Sequence, residues 1–282
     1  MLDFIPNYVF QFITPVLIGL LVLAYLFGKP FYVEHQRNKI RQQPFPQAWR
    51  QIIKRRIPYF STMPTDLQLQ LKGHIQVFIA EKQFAGYEGI TINDDIKVTV
   101  AAQACLLLLN RKTDYYPNLK TIVIYPGAFV KKQMAADHIG LHSERTSIML
   151  GESWQFGKVI LSWQHTVEGA KVPDDGANVV IHEFAHQLDQ ETGNANGAPW
   201  LGKRSSYKHW SSVFEKEYQQ LKQQTEQGTE SLLDSYGATN PAEFFAVASE
   251  VYFEQAQQLY QQHRSLYRQL RKYYQVDPIN WN

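Results

Sequence analysis

Val179-Val-Ile-His-Glu-Phe-Ala-His-Gln-Leu-Asp189 is the stretch on which the reading of this chain turns. Val180, Ile181, Phe184, Ala185 and Leu188 recur at the helical period and occupy one broad arc. His182, Glu183, His186 and Asp189 occupy the other. On a helix, imidazoles at i and i+4 project from one face a turn apart, so His182 and His186 can share one tetrahedral metal ion. Glu183 lies about 100° round from His182, beside such an ion, where it can take a proton from a metal-bound water. The chain has nine histidines, so His-Glu-x-x-His can arise by chance, but the amphipathic placement argues against accident.

A catalytic site of this kind has three protein ligands and an open position, so a third donor must come from elsewhere. Asp189 is on the correct face, but about 4.5 Å further along the axis than His186, which suits a supporting or helix-end role. Position 192, ten residues after His182, is Thr, which excludes a third histidine at the metzincin spacing. A better donor lies in Ser235-Tyr-Gly-Ala-Thr-Asn-Pro-Ala-Glu-Phe-Phe-Ala246. Asn240 followed by Pro241 predicts a helix start, which puts Glu243 in the first turn. Glu243 is then either the reciprocal half of a capping box or the third ligand. Glu250, seven residues on and on the same face, is the alternative ligand, otherwise a supporting or surface acid. Tyr236 precedes this helix by a short loop in which Gly237 permits a sharp turn. Its phenol can donate to an oxyanion, although in a chain with 16 tyrosines packing is the commoner use.

Outward from these motifs, helical spacing dominates from Trp49 to about Leu109 and again from about Asn178 onward. Thr121-Ile-Val-Ile-Tyr125 and Lys158-Val-Ile-Leu-Ser-Trp163 read as strands, the second as a sheet edge available to a substrate backbone. The expected fold is α+β, mainly helical with a small sheet. Ahead of it, residues 4–28 carry no charge and are long enough to span a membrane. A cleaved signal peptide fits less well, because Asp3 stands where a basic region belongs. A buried core helix is the other alternative. Residues 29–48 read as a basic linker and 49–282 as the catalytic domain.

The remaining composition narrows the class. Of the 282 residues 44% are apolar, which excludes a disordered chain. The single cysteine, Cys105, excludes disulfides and cysteine-based zinc sites, and its apolar surroundings make it a buried small residue. The formal charge is +2, yet Lys29 to Arg56 holds eight Lys/Arg against one acid. With Asp3 set aside, residues 57–282 therefore carry a net −4, and direct nucleic-acid binding is not expected. Basic residues after the span put the body in the cytoplasm and within reach of anionic headgroups.

The two motifs resemble the Mlc titration factor A family of zinc metallopeptidases. So do Phe45-Pro-Gln-Ala-Trp-Arg50, Ala101-Ala-Gln-Ala-Cys-Leu-Leu-Leu108, Ile124-Tyr-Pro126 and Gly157-Lys-Val-Ile-Leu-Ser-Trp163, so the likeness covers about residues 45–255. The second motif is similar also to the zinc domain of anthrax lethal factor, a distant gluzincin. The resemblance implies a zincin-like domain holding one Zn2+, with His182, His186 and Glu243 as ligands. It implies Glu183 as general base and Tyr236 as transition-state stabiliser. It further implies aminopeptidase-type activity on peptide substrates and binding of a sugar-responsive transcriptional repressor, Mlc. The amino-terminal span departs from the soluble members. The competing expectation is a membrane-tethered binding protein that sequesters such a regulator around a structural or vestigial metal site.

Overall fold

The uncharged amino-terminal stretch becomes part of one helix, α1 (Asn7–Arg41), in a computed structural model that describes residues 7–127, 129–136, 142–149, 151–154, 157–193 and 195–281. Residues 4–6 of the expected anchor lie outside the described residues. From Thr14 onward α1 is long and apolar enough to cross a membrane. The basic stretch expected as a linker stays helical as far as Arg41, whose guanidinium meets Glu34 and Asn38 on the same helix. Pro44 and Pro46 explain why helix does not continue, since each disfavours helical backbone in the residue before it. Contacts divide the chain at this point into units 1–44 and 45–282.

The second unit runs α2 (Gln47–Arg56), α3 (Thr65–Glu81), β1 (Gln83–Gly86), α4 (Asp94–Leu106) and β2 (Thr121–Tyr125). There follow β3 (Phe129–Ala136), β4 (His142–Met149), β5 (Gly151–Trp154), β6 (Lys158–Ser162) and α5 (Trp163–Lys171). It closes with α6 (Val179–Asp189), α7 (Arg204–Gln227), α8 (Pro241–Glu254), α9 (Ala256–Gln262) and α10 (Arg264–Tyr274). The main sheet has the order β1-β2-β6-β5, parallel except for β5, and β3 with β4 forms a separate antiparallel pair.

Both expected strands are present, with one correction. Lys158–Ser162 is not a sheet edge, because β2 pairs with it on one side and β5 on the other. That interior place fits its sequence: Val159 and Leu161 are fully buried, as are Ile122 and Ile124 of β2. Trp163 leaves the strand and opens α5, because Ser162 Oγ accepts from His165 N and caps that helix. The strand β1, Gln-Phe-Ala-Gly, is too short to show a period.

The apolar arc of α6 is buried throughout, with Val180, Ile181, Phe184 and Ala185 at 0% exposure. Phe184 packs against Tyr116 and against Phe78 of α3, with ring centroids 4.8 and 5.6 Å away. Each such side chain contributes about 1.5–3 kcal/mol of burial, so the orientation of α6 is strongly determined. Cys105 is likewise fully buried.

Candidate metal centre

Two asparagines start the two helices that build the centre. Asn178 Oδ1 accepts from the backbone N–H of Val180 and Ile181 at 3.1 and 3.0 Å, which sets the first turn of α6. Asn240 Oδ1 accepts from Ala242 and Glu243 at 2.9 and 3.0 Å, and Pro241 takes the first position of α8. The helices pack together, and a glycine controls how closely their ends meet. At Gly197, φ is +76°, and a Cβ there would stand 2.3 Å from Pro241 O. Its N–H donates to Asp189 Oδ2 at 2.7 Å and its carbonyl accepts from Trp210 Nε1 at 2.9 Å. Asp189, fully buried, thus ties the end of α6 to the loop before α7, which lies against Pro241 at the start of α8.

His182, His186 and Glu243 meet across this packing. His182 Nε2 is 3.0 Å from Glu243 Oε2, His186 Nε2 is 3.2 Å from the same oxygen, and the two Nε2 atoms are 3.2 Å apart. Tetrahedral bonds of about 2.0–2.1 Å place neighbouring ligand atoms about 3.3–3.4 Å apart, so the triangle is close to the size a small divalent ion requires. Glu243 does not reach back to the backbone N–H of Asn240, so the capping-box alternative does not describe it.

Glu250 is neither a member of this triangle nor a surface acid. It is buried, its Oε1 lies 2.7 Å from His182 Nδ1, and its Oε2 accepts from Asn178 N. A proton on Nδ1 donates to Glu250 and leaves the lone pair of Nε2 facing the other two donors. Three electron-rich atoms so close repel one another unless a proton or a cation joins them. The donor chemistry therefore fits a metal ion, and these three residues can hold one. Burial opposes the imidazolium of His182, but hydrogen bonds to Glu243 and Glu250 hold its pKa well above the ordinary histidine value. Burial likewise opposes the Glu243 carboxylate, yet His182 and His186 pull its pKa down to about 2. Glu183 is 4% exposed and lies on the same helix face, within electrostatic reach of His182 and Tyr236.

Tyr236 is 53% exposed, its ring centroid 5.9 Å from that of His182. Partial burial and the carboxylates of Glu243 and Glu183 push its phenol up, so it remains a neutral donor. It sits in a 3-10 turn, Ser235–Ala238, capped by Asp234, whose Oδ1 accepts from Tyr236 N at 2.7 Å. The sharp turn expected at Gly237 is this 3-10 turn, but its φ is not positive, and a Cβ there would press on Leu221 and Val247 at 3.1 and 3.3 Å. Close packing is what demands glycine.

Sequence reasoning missed the buried hub behind the site. Asn178 Nδ2 donates to Glu254 Oε1 at 2.8 Å and Gln103 Oε1 at 2.9 Å. Burial lifts the Glu254 carboxyl to about 9 against the hydrogen bond from Asn178. The signal was present in a polar residue standing immediately before an apolar run, at the helix-cap position.

Helix-borne imidazoles joined by a carboxylate from a second helix define the class of centre that metallohydrolases use. The chain belongs to the glucose-regulated metallo-peptidase M90 family, whose model matches residues 32–275. An uncharacterized protein of Synechocystis sp. is 39% identical over 268 residues, 95% of this chain and 97% of the relative. Mlc titration factor A of Escherichia coli O7:K1 is 28% identical over 226 residues, 79% of this chain and 84% of that protein. The protein of the same name from Enterobacter sp. matches to the same extent.

Proposed function

We propose that this chain is a zinc-dependent peptidase tethered to a membrane by α1, with its catalytic body in the cytoplasm. The observation that carries the reading is the triangle of Nε2, Nε2 and Oε2 atoms from His182, His186 and Glu243. Two nitrogens and one carboxylate oxygen suit Zn2+ with one position left open. When bound, the ion polarises a scissile carbonyl and lowers the pKa of a water to about 7. Glu183 accepts the proton of the attacking water at its carboxylate and hands it to the leaving amine. Tyr236 donates its phenolic proton to the oxygen on which negative charge develops. Glu250 keeps His182 in the tautomer that presents Nε2. The strand β5, terminal in the sheet and packed against α6, offers the backbone edge for an extended substrate.

The name of the Escherichia coli relative supports a second role, binding of an Mlc-type transcriptional repressor, in which the peptidase site is not required. The orientation rests on the cluster of basic residues after the span.

The test is metal content and peptide hydrolysis of the full-length chain in non-ionic detergent, wild type beside Glu183→Gln, with and without chelator. About one zinc per chain in both proteins is expected, with turnover lowered at least about 10²–10⁴-fold in the variant. Undiminished turnover by Glu183→Gln would overturn the assignment. Peptides with free and blocked amino termini, compared in the same assay, decide whether the activity is of the aminopeptidase type.

A further inference from the structure

A second concave site lies away from the metal triangle, and its chemistry differs in sign. The cavity, about 520 Å³, opens between the segment after α4, the loop before α7, and α10. Arg111, Lys112 and Lys272 line it together with Trp200, Trp210 and Tyr273, and no Asp or Glu is among its lining residues. Residues 57–282 carry a net −4, so three cations without an acid run against the background of this body.

Of the three cations, Arg111 is the one held in place. Arg111 is half-buried, its guanidinium 4.3 Å from the centre of the Tyr273 ring, and its Nη1 donates to Leu107 O at 3.4 Å. A ring and a carbonyl fix its position without neutralising its charge. Glu191, in the turn after α6, is felt by Arg111 electrostatically but does not line the cavity. Lys112 and Lys272 are exposed at the rim. Trp200, 59% exposed, presents an indole to solvent at the same opening, while Trp210 is buried and already committed to Gly197 O.

The rim is also stiff. Asn110 and Gln275, which flank the cationic residues, both adopt left-handed backbone, at φ +56° and +58°. They are joined by a hydrogen bond from Asn110 Nδ2 to Gln275 O, and Gln70 grips Asn110 through both its side chain and its backbone. Gln275 is the left-handed cap of α10 and Asn110 is of a residue type that adopts this conformation readily, so the hydrogen bonds between them and from Gln70 are what hold the rim in place.

We infer that this cavity binds a small organic anion, a phosphate or carboxylate joined to a flat or apolar body, at a site separate from the metal centre. Arg111, Lys112 and Lys272 receive the anionic head, and Trp200 covers the body by stacking.

Phenyl phosphate is the probe, titrated into the full-length chain in non-ionic detergent and followed by tryptophan fluorescence and thermal shift. Phosphate oxygens also bind metal ions, so the titration is run on chelated protein and on Glu243→Ala. The expected result is saturable binding that survives loss of the metal. Binding should weaken at least about tenfold in the surface double variant Lys112→Gln/Lys272→Gln, whose positions tolerate change, and also in Arg111→Met. Trp200→Ala should remove the preference for phenyl phosphate over inorganic phosphate, and benzoate in place of phenyl phosphate separates the two head groups. No saturation below about 10 mM, binding that needs the metal, an equal response to benzyl alcohol, or indifference to the lysine variants would each overturn the proposal. Because the readout is binding to metal-free protein, its failure leaves the peptidase reading where it stood, and the converse also holds.

Discussion

His263 and His182 each place Nδ1 2.7 Å from a glutamate oxygen, Glu217 Oε2 in one case and Glu250 Oε1 in the other. Both pairs are shielded from water, with side-chain exposures of 7% and 9% for His263 and Glu217 and 13% and 9% for His182 and Glu250. Around His263 the arrangement ends with that contact, which ties α7 to the junction of α9 and α10. Around His182 it continues, because Nε2 faces both Glu243 Oε2 and His186 Nε2 within 3.2 Å. A buried His–Glu pair is thus ordinary architecture, and convergence of a second imidazole and a second carboxylate makes one of the two a group that could hold a metal ion. The acid at Nδ1 does the same local work in both places: it fixes a tautomer and a ring orientation. Among the described residues, only at His182 does the other nitrogen face further donor atoms.

The comparison is broken most severely at its distinguishing member. Glu243→Ala removes the oxygen that both Nε2 atoms face, and the loss of metal should exceed the roughly 10–100-fold typical of outer partners. Metal analysis after dialysis should find the variant empty, and the drop in Tm that chelator produces in the wild type should vanish, since binding no longer stabilises the fold. A fully loaded variant would move the third-ligand role to Glu250. The counterpart is His263→Ala, which leaves Glu217 buried without its partner. Its expected cost is about 3–5 kcal/mol of stability, read by denaturant unfolding, with zinc content unchanged in the folded fraction. Loss of metal there would mean that the two pairs are not independent.

What the sequence made legible divides along the same line. The amphipathic period of Val179–Asp189 and the Asn240-Pro241 start are local signals, and α6 and α8 form where those signals lie. The triangle could be anticipated because each half carries a short motif. Glu250 was harder. Helical spacing puts it on the face of Glu243, but only packing decides that its carboxylate meets Nδ1 of His182 rather than solvent. Asn178 was harder still, since its bonds to Gln103, Glu250 and Glu254 join residues more than seventy positions apart in the chain. The expectation of a free edge at Lys158–Trp163 failed because β5, Gly-Glu-Ser-Trp, has no alternating pattern to announce it as a neighbour. The long apolar helix α1 was legible in outline, whereas its length was not. The basic residues to Arg41 suit a solvated helix as well as a linker, and prolines 44 and 46 are the stronger boundary.

The finest test acts on the contact that the two pairs share. Glu250 accepts twice, from His182 Nδ1–H at Oε1 and from Asn178 N–H at Oε2. Glu250→Gln can keep the first bond through its amide oxygen, but must then turn its amide N–H toward the backbone N–H of Asn178, donor against donor. Glu250→Ala loses both bonds and frees the imidazole to rotate. Zinc affinity measured by competition with a chromogenic chelator should therefore fall from wild type to Gln to Ala, with the Ala variant about 10–100-fold weaker. The intermediate place of Gln is the informative part, because a role for Glu250 in filling space alone predicts that Gln, nearly the same size, binds as the wild type does. If Gln matched Ala, the carboxylate charge, rather than the hydrogen bond that orients His182, would be what the metal centre draws on. The resemblance to the Glu217–His263 pair would then be one of geometry only.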